Sequence, residues 1–242
     1  MMKKSQLACA AALAVAAPTI SFADVAFNVG AFTDYRYRGI SQTRVKPAVQ
    51  GGIDYTNGPF YLGAWASNIK WIKDFGGDAN VEIDLYGGYK GEISKELTYD
   101  IGVLTYQYPS NKLNPSANTT EIYGALTYGP ATLKYSHAVT NTFANPDSKN
   151  SYYLDLSAGF DVGNGLTFTP HIGYQKIKGP LDDLGSYTDF SLTLSKDFSG
   201  LVLSGAIVGT DADKSFYIPG PFANSTKFLG KTSLVVGVKY NF

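Results

Sequence analysis

The sequence predicts an all-β fold: a closed, antiparallel, up-and-down transmembrane β-barrel of about 12 strands. Stretches of about ten residues with alternating apolar side chains recur along the chain, which is the pattern of strands with one apolar face. Long and short connections alternate strictly between these stretches. Outer-membrane barrels have this alternation of loops and turns, and an even number of strands leaves both chain ends on one side.

The final stretch, residues 232–242, shows the strand pattern clearly. One face carries Leu234, Val236, Val238, Tyr240 and Phe242. The residues between them are mostly small or polar. A last amphipathic strand that closes on an aromatic residue is typical of the assembly signal of outer-membrane barrels. We therefore predict that Tyr240 and Phe242 form this signal.

The composition is poor in charge and rich in residues that form strands and turns. Charged residues make up 17% of the chain and aromatic residues 14%, with 26 glycines. Without Lys3 and Lys4, 18 basic and 20 acidic residues remain, a net charge of −2. Because no basic field is present, we expect no nucleic-acid partner.

Residues 1–23 have the pattern of a cleaved signal peptide, and residues 24–242 are expected to form the barrel. Lys3 and Lys4 precede an apolar run that is too short to span ~30 Å of hydrocarbon. Residues 21–23 form a small-x-small cleavage site. Cys9 lies in this segment, so the mature chain is expected to lack disulfides and cysteine metal sites. The predicted location is the bacterial outer membrane of a Gram-negative cell.

Twelve strands are predicted in order, because each shows apolar alternation between polar or turn-forming residues. They cover residues 25–35, 49–55, 60–67, 81–90, 97–103, 122–128, 133–135, 152–160, 166–177, 190–194, 201–210 and 232–242. Short turns are predicted at 57–58, 91–96, 129–130, 163–165 and 199–200. The third and eleventh strands have apolar residues on both faces, so their orientation stays open. Pro170 lies mid-strand and cannot donate to a ladder, so we expect a bulge there or a later strand start.

The predicted lipid face of the assignable strands carries no charged residue. The opposite face carries Glu82, Asp84, Asp100, Glu121, Lys134, Asp155 and Asp189. A lipid-facing Arg or Lys near the midplane costs ~2–4 kcal/mol, which explains this segregation. Aromatic residues near strand ends predict interfacial girdles, namely Tyr35, Tyr55, Tyr89, Tyr128, Phe160, Tyr174 and Tyr240. A secreted β-sandwich or soluble barrel has the same period, but the signal peptide, Phe242 and the loop alternation favour a membrane barrel.

Four segments carry a family resemblance. They are TDYRYRGISQT at 33–43, PAVQGGIDY at 47–55, FYLGAWASN at 60–68 and EIDLYGGY at 82–89. These segments resemble the TorF-type porin family of proteobacterial outer-membrane proteins. The match is motif-specific over residues 33–89 and only a pattern beyond them. The resemblance implies an outer-membrane channel, but it implies no particular substrate.

The predicted function is a porin-like channel for passive diffusion of small hydrophilic solutes or ions. Eight strands give a barrel packed by its own side chains and sixteen leave an aqueous channel, so twelve permit either a narrow passage or a plugged lumen. The predicted pore-lining residues are Arg36, Arg38, Arg44, Lys46, Glu82, Asp84, Asp100, Glu121, Lys134, Asp155 and His171. The loop cations favour anions if they enter the mouth, and the lumen acids favour cations.

Other partners are expected from the location. The basic residues between Arg36 and Lys46 also suit lipopolysaccharide phosphates or solvent. Outer-membrane lipid, lipopolysaccharide, the barrel-assembly machinery and periplasmic chaperones are therefore predicted partners.

The alternative is a plugged barrel that acts as a lipid-modifying enzyme, a surface-binding protein or a structural protein. The available imidazole bases are His137 and His171, and neither lies in a nucleophile motif. Ser136 and His137 are neighbours in a strand and point to opposite faces, so they cannot pair directly. We therefore predict no enzyme activity, no catalytic residues, no cofactor and no metal site.

Overall fold

Twelve antiparallel strands form the wall in the computed structural model, which describes residues 24–242; the predicted signal peptide lies outside the described residues. The strands are β1 Asp24–Phe32, β2 Ala48–Asn57, β3 Phe60–Asn68, β4 Val81–Ser94, β5 Leu97–Gln107, β6 Thr119–Tyr128, β7 Ala131–Ala138, β8 Tyr152–Ala158, β9 Leu166–Lys176, β10 Tyr187–Phe198, β11 Leu201–Thr210 and β12 Ser233–Asn241. The pair Phe160–Asp161 extends β8 beyond a break. The long loops contain a hairpin of Arg36–Tyr37 with Ile40–Ser41, and the short helices α1 Trp71–Asp74 and α2 Asp182–Gly185.

The first and last strands close the barrel. β1 pairs with β12 from Asn28 opposite Asn241 to Phe32 opposite Gly237. Beyond this ladder, the backbone N–H of Phe27 donates to the Phe242 carbonyl at 2.8 Å, and the reciprocal bond measures 3.0 Å. Closure leaves no unpaired sheet edge. The predicted fold is confirmed.

Phe242 stabilises this closing seam. Its ring stacks on Phe27 with a centroid distance of 5.9 Å. We expect Phe242→Ala to lower the folded fraction, since an aromatic pair contributes about 0.5–1.5 kcal/mol. Refolding into vesicles, followed by the gel shift between folded and heat-denatured barrel, measures this fraction. Phe198→Ala is the control, because Phe198 is exposed at the same end of the barrel but lies away from the seam. Equal folding of both variants would contradict a special role for Phe242.

The two faces of the wall differ as predicted. Large apolar side chains such as Val49, Leu62 and Leu234 are exposed on the outside. The seven charged residues of the opposite parity lie inside, five of them buried and two half-buried. Contacts also orient the two unassigned strands: Tyr61 of β3 bonds Asp100 inside the barrel, and Leu203 of β11 is exposed outside. Among residues 24–242, no helix has the length and apolar character needed to cross a membrane.

Several predicted strand boundaries differ from the structure, and two of the differences change the placement of a side chain or the length of a turn. β1 ends at Phe32 rather than near Tyr35, because the chain turns into the barrel at Asp34. Tyr35 is therefore buried and does not belong to a lipid-facing girdle. β4 continues to Ser94 through a register shift, so the turn predicted at 91–96 is only two residues long.

Pro170 also differs from expectation. β9 begins at Leu166, and its register with β10 runs through Pro170 without a bulge. The missing hydrogen bond of the proline instead affects the pairing of β9 with its other neighbouring strand, β8. That strand is interrupted at Gly159, where its ladder to β9 lacks pairs between Ser157 and Phe160. Proline has no N–H to donate, so one of its two ladders must be incomplete.

Candidate functional site

Loop 1, residues 33–47 between β1 and β2, folds into the barrel instead of projecting from it. Asp34 fixes the turn, since its carboxylate accepts hydrogen bonds from Ser41 Oγ at 2.6 Å and Thr43 Oγ1 at 2.9 Å. The N–H of Gln42 donates to the Tyr35 carbonyl at 2.8 Å. These local bonds give loop 1 a compact hairpin form.

Arg36 ties the loop to the last long connection, loop 6 (residues 211–232), and to β12. Its Nε pairs with Asp34 at 2.5 Å. Its terminal nitrogens donate to the Leu229 carbonyl at 3.0 Å and to Ser233 Oγ at 2.7 Å. All three nitrogens of the guanidinium thus take part in holding one side of loop 1.

Arg38 reaches further into the lumen and joins two strands. Its guanidinium donates to Glu121 Oε2 of β6 at 2.6 Å and to Gln175 Oε1 of β9 at 2.5 Å. Its Cζ also lies over the Tyr153 ring, 4.3 Å from the centroid. The Arg38 and Glu121 side chains are only 6% and 2% exposed. We name these three hydrogen-bonded residues, Arg38, Glu121 and Gln175, the Arg38 latch.

The latch keeps its charge. Burial alone would lower the pKa of Arg38, but the Glu121 carboxylate raises this pKa well above its usual value. Removing one partner of such a buried pair leaves the other charge uncompensated, which is strongly destabilising. The latch therefore holds loop 1 firmly while both partners are present.

Arg44 and Lys46 complete the predicted cationic set. Arg44 pairs through two nitrogens with Asp74 of α1, in loop 2 (residues 69–80). Lys46 is exposed. All three arginines of the chain thus lie in loop 1 and pair with carboxylates. The anion selectivity expected of these residues stays a prediction, and the arginine charges are compensated locally.

Apolar and phenolic contacts fill the space around loop 1. Tyr35 Oη donates to Glu82 Oε1 at 2.7 Å, and Tyr37 Oη donates to Tyr106 Oη at 2.8 Å. Burial raises the pKa of Tyr35 and Tyr37 well above the usual value, so both phenols are neutral donors. A buried cluster of Tyr35, Ala48, Ile69, Ile72, Ala79, Tyr106, Tyr108 and Ala117 surrounds them. The long-loop half of the lumen is therefore filled.

A second polar cluster lies on β8–β10, beside Arg38. His171 Nε2 lies 2.9 Å from Asp155 Oδ2, and its Nδ1 lies 3.7 Å from Asp189 Oδ1. Tyr153 Oη donates to Asp189 Oδ2 at 2.9 Å. Both nitrogens of His171 face carboxylates, so this imidazole serves as a bridge within the wall.

The remaining predicted lumen residues lie on β4, β5 and β7. Asp100 accepts a hydrogen bond from Tyr61 Oη at 2.6 Å. Lys134 Nζ lies 3.9 Å from the centroid of the Tyr123 ring. Asp84 differs from them, since its Oδ1 is buried and has no hydrogen-bond partner in residues 24–242. The structure places every predicted pore-lining residue of the strands inside the barrel, but it brings only Glu121 into contact with the loop arginines.

In the short-turn half of the lumen, aromatic rings lie flat against the wall. A Cβ atom added to the glycine beneath each ring would overlap ring atoms. The pairs are Tyr61 over Gly88, Tyr86 over Gly63 and Tyr123 over Gly102. Because the glycines have no side chain, these rings cover the wall of β3–β6 instead of crossing the lumen.

Small hydroxyl side chains line the wall of β8–β10 in the same half. They are Ser157, Thr167, Thr169, Ser191, Thr193 and Ser195. All are at least partly exposed although they face the inside of a closed barrel, so water reaches them. We name the space between this hydroxyl wall and the tyrosine wall the vestibule. The sequence analysis did not predict the vestibule, nor did it identify Tyr153 and Gln175. Both residues, and the hydroxyl residues named above, occupy inward-facing positions of the strand alternation, which is the signal that could have identified them.

Gly173 supports the latch by making room for Tyr153. A Cβ atom at Gly173 would overlap Tyr153 Oη and lie 2.8 Å from its Cε2. We expect Gly173→Ala to displace the ring from Asp189 and Arg38 and to lower the free energy of unfolding by about 1–3 kcal/mol. Urea unfolding in lipid vesicles measures this change. Gly124→Ala is the control, since Gly124 has no atom within 4 Å of the added Cβ; an equal loss in both variants would contradict the proposed role of Gly173.

The outer face of β7 carries the other histidine. His137 is directed away from the buried Ser136, as predicted, and its nitrogens lie 3.1 Å from Tyr135 Oη and 3.2 Å from Asn150 Oδ1. No acidic residue bonds this imidazole within the described part of the chain. In that same part, no group of three or more acidic, histidine or cysteine residues is arranged to hold a metal ion.

The barrel is similar to solved porin structures. The KdgM porin in complex with disordered oligogalacturonate is 10% identical, with a TM-score of 0.57 over 91% of this chain and 99% of that chain. A NanC porin structure is 11% identical, with a TM-score of 0.56 over 90% of this chain and 99% of that chain. At these identities the likeness concerns the fold alone.

Sequence comparison gives the family. No curated protein sequence matches the chain. The family described as "Bacterial protein of unknown function (Gcw_chp)" matches residues 16–242. This match covers nearly the whole chain, and the protein therefore belongs to the Gcw_chp family.

Proposed function

We propose that the protein is a porin-like channel of the bacterial outer membrane for passive diffusion of small hydrophilic solutes or ions, and that loop 1 sets its conductance. The observation that carries this proposal is the vestibule, where hydroxyl side chains inside a closed wall are accessible to water. A barrel packed throughout by its own side chains has no such space. The porin-like fold supports the same function.

Loop 1 limits passage in this proposal because it fills the long-loop half above the vestibule. Its attachments are hydrogen bonds, ion pairs and apolar contacts, so the loop is able to move while the wall stays intact. Opening of a packed, lid-like segment of this kind takes microseconds to seconds. The packed loop gives a narrow or closed passage, and the displaced loop gives an open one.

The location rests on the outer surface and on the sequence motifs. Exposed apolar side chains cover the wall between the two ends, as lipid contact requires. The resemblance of residues 33–89 to TorF-type porins supports the same environment. Outer-membrane lipid and lipopolysaccharide are the proposed surroundings, with export by the signal peptide, periplasmic chaperones and recognition of Phe242 by the barrel-assembly machinery.

Single-channel recording of the refolded mature chain in a planar bilayer tests this function. We expect discrete conductance steps in potassium chloride. Under a salt gradient, the reversal potential is expected to indicate cation preference. The reason is that the arginines of loop 1 are paired with carboxylates, whereas acidic residues outnumber lysines on the inward faces of the strands. If folded protein gives no steps, even after loop 1 is released by mutation, the channel proposal is overturned.

A further inference from the structure

The two walls of the vestibule face each other across the lumen. In a ring of twelve strands, β3 lies opposite β9 and β4 lies opposite β10. The tyrosine wall on β3–β6 therefore faces the hydroxyl wall on β8–β10. A solute that crosses the vestibule contacts phenol rings on one side and aliphatic hydroxyls on the other.

The hydroxyl wall offers unused hydrogen-bonding capacity. The side chains of Thr169, Ser191 and Thr193 have no partner within residues 24–242. A hydroxyl group both donates and accepts, so it suits another hydroxyl in either role. These residues are matched to solutes that are themselves rich in hydroxyl groups.

The tyrosine wall carries phenols whose polar ends are engaged by acids. Tyr61 Oη bonds Asp100 at 2.6 Å, and Tyr86 Oη bonds Asp54 at 2.5 Å. Lys90 lies over the Tyr61 ring, 4.8 Å from its centroid. The carboxylates Asp54 and Asp100 are thus engaged with phenols of this wall, and the ring faces are left for apolar contact with a solute.

Asp84 lies where the vestibule meets the filled half, two residues from Tyr86 on the same face of β4. Its Oδ1 is buried and lacks a hydrogen-bond partner in the described chain. A solute hydroxyl is able to donate to this oxygen once loop 1 moves, whereas a deprotonated solute carboxylate has no hydrogen atom to donate. The unpartnered carboxylate oxygen and the two walls therefore point to the same class of solute.

We propose that the vestibule selects uncharged polyhydroxylated solutes, of the class of simple sugars and polyols, over acidic ones. This proposal rests on the channel function proposed above. The hydroxyl wall supplies alternating donors and acceptors, the flat tyrosine rings supply an apolar face for a sugar ring, and Asp84 Oδ1 accepts one further solute hydroxyl.

Liposome swelling with glucose and with glucuronate, which share ring size, tests the selectivity. The full mature chain is used in two forms, wild type and Arg38→Met, so that loop 1 does not hide the result. We expect glucose to enter at least about threefold faster than glucuronate, because glucuronate has a carboxylate in place of one hydroxyl donor and about one hydrogen bond to the vestibule is lost. Equal entry, or faster entry of glucuronate, overturns the proposal.

Three substitutions in the hydroxyl wall test the recognition itself. We expect Thr169→Val, Ser191→Ala and Thr193→Val, combined, to slow glucose entry roughly fivefold, since about one hydrogen bond to the solute is lost. Potassium chloride conductance should stay unchanged, because the pore dimensions are preserved. Thr188→Val on the outward face of β10 is the matched control. Undiminished glucose entry in the triple variant overturns the proposal, whereas loss of all chloride conductance in wild type and Arg38→Met would overturn the channel function itself.

Discussion

Replacing Arg38 by methionine is expected to raise single-channel conductance several-fold. The substitution leaves Glu121 buried beneath loop 1 without a cation, which costs about 3–5 kcal/mol. Displacement of the loop lets water reach the carboxylate and removes this cost. The equilibrium between packed and displaced loop then shifts by roughly a hundredfold or more toward the displaced form. Recording in a planar bilayer measures the change directly.

Two further variants show whether the effect comes from the latch. Lys46→Gln also removes a cation from loop 1, but the Lys46 side chain is exposed. The conductance of this variant should therefore equal that of the wild-type channel. Adding Glu121→Gln to Arg38→Met removes the unpaired charge and should restore part of the closure. An Arg38→Met channel with wild-type conductance would show that the latch does not hold the passage closed.

Gly39→Ala is expected to open the channel without any change of charge. Gly39 has φ +79°, and a Cβ atom there would overlap Thr210 Cγ2 and lie 2.7 Å from Asp189 Cβ. Both neighbours belong to the wall, so the loop must move instead. We expect a conductance close to that of Arg38→Met, because the same segment leaves the lumen.

Gly58→Ala separates this steric effect from backbone strain. Gly58 has φ +58° in a short turn, and no atom lies within 4 Å of its added Cβ. Both substitutions place an alanine at a positive φ, which costs about 1 kcal/mol. Only in Gly39→Ala does the added Cβ atom also clash with side chains of the barrel wall. Equal conductance of the two variants and wild type would mean that Gly39 does not seat the loop against β10 and β11.

The barrel wall was predictable from sequence because side chains along a strand alternate between its two faces, so a few consecutive residues show which positions face inward. Alternation placed Glu82, Glu121 and Asp155 on the inward face correctly, and it required no knowledge of strand register. Pro170 was harder, because a proline removes one hydrogen bond and the sequence does not say which neighbouring strand loses it. The structure shows that β8, rather than the pairing with β10, is interrupted.

The position of loop 1 was not predictable from local pattern. Three arginines within nine residues are compatible with an exposed loop and with a buried one. Their carboxylate partners decide between the two, and the partners of Arg38 and Arg44 lie outside loop 1, so they are not visible in the local sequence. Arg38 bonds residues 83 and 137 positions away, so the latch exists only after the barrel has closed. Tyr35 was misassigned to the lipid face for the same reason, since its partner Glu82 lies on β4.

The channel is expected to be controlled by loop 1, and conductance of a chain with a shortened loop tests this most directly. The Tyr35 carbonyl and the Gln42 N–H are already hydrogen-bonded at 2.8 Å, so two glycines are able to replace residues 36–41. An equal shortening of residues 222–227 in loop 6, which are mostly exposed, is the control. We predict large, steady conductance for the loop 1 variant and wild-type conductance for the control. Unchanged conductance of the loop 1 variant, with the barrel folded, would contradict the central claim.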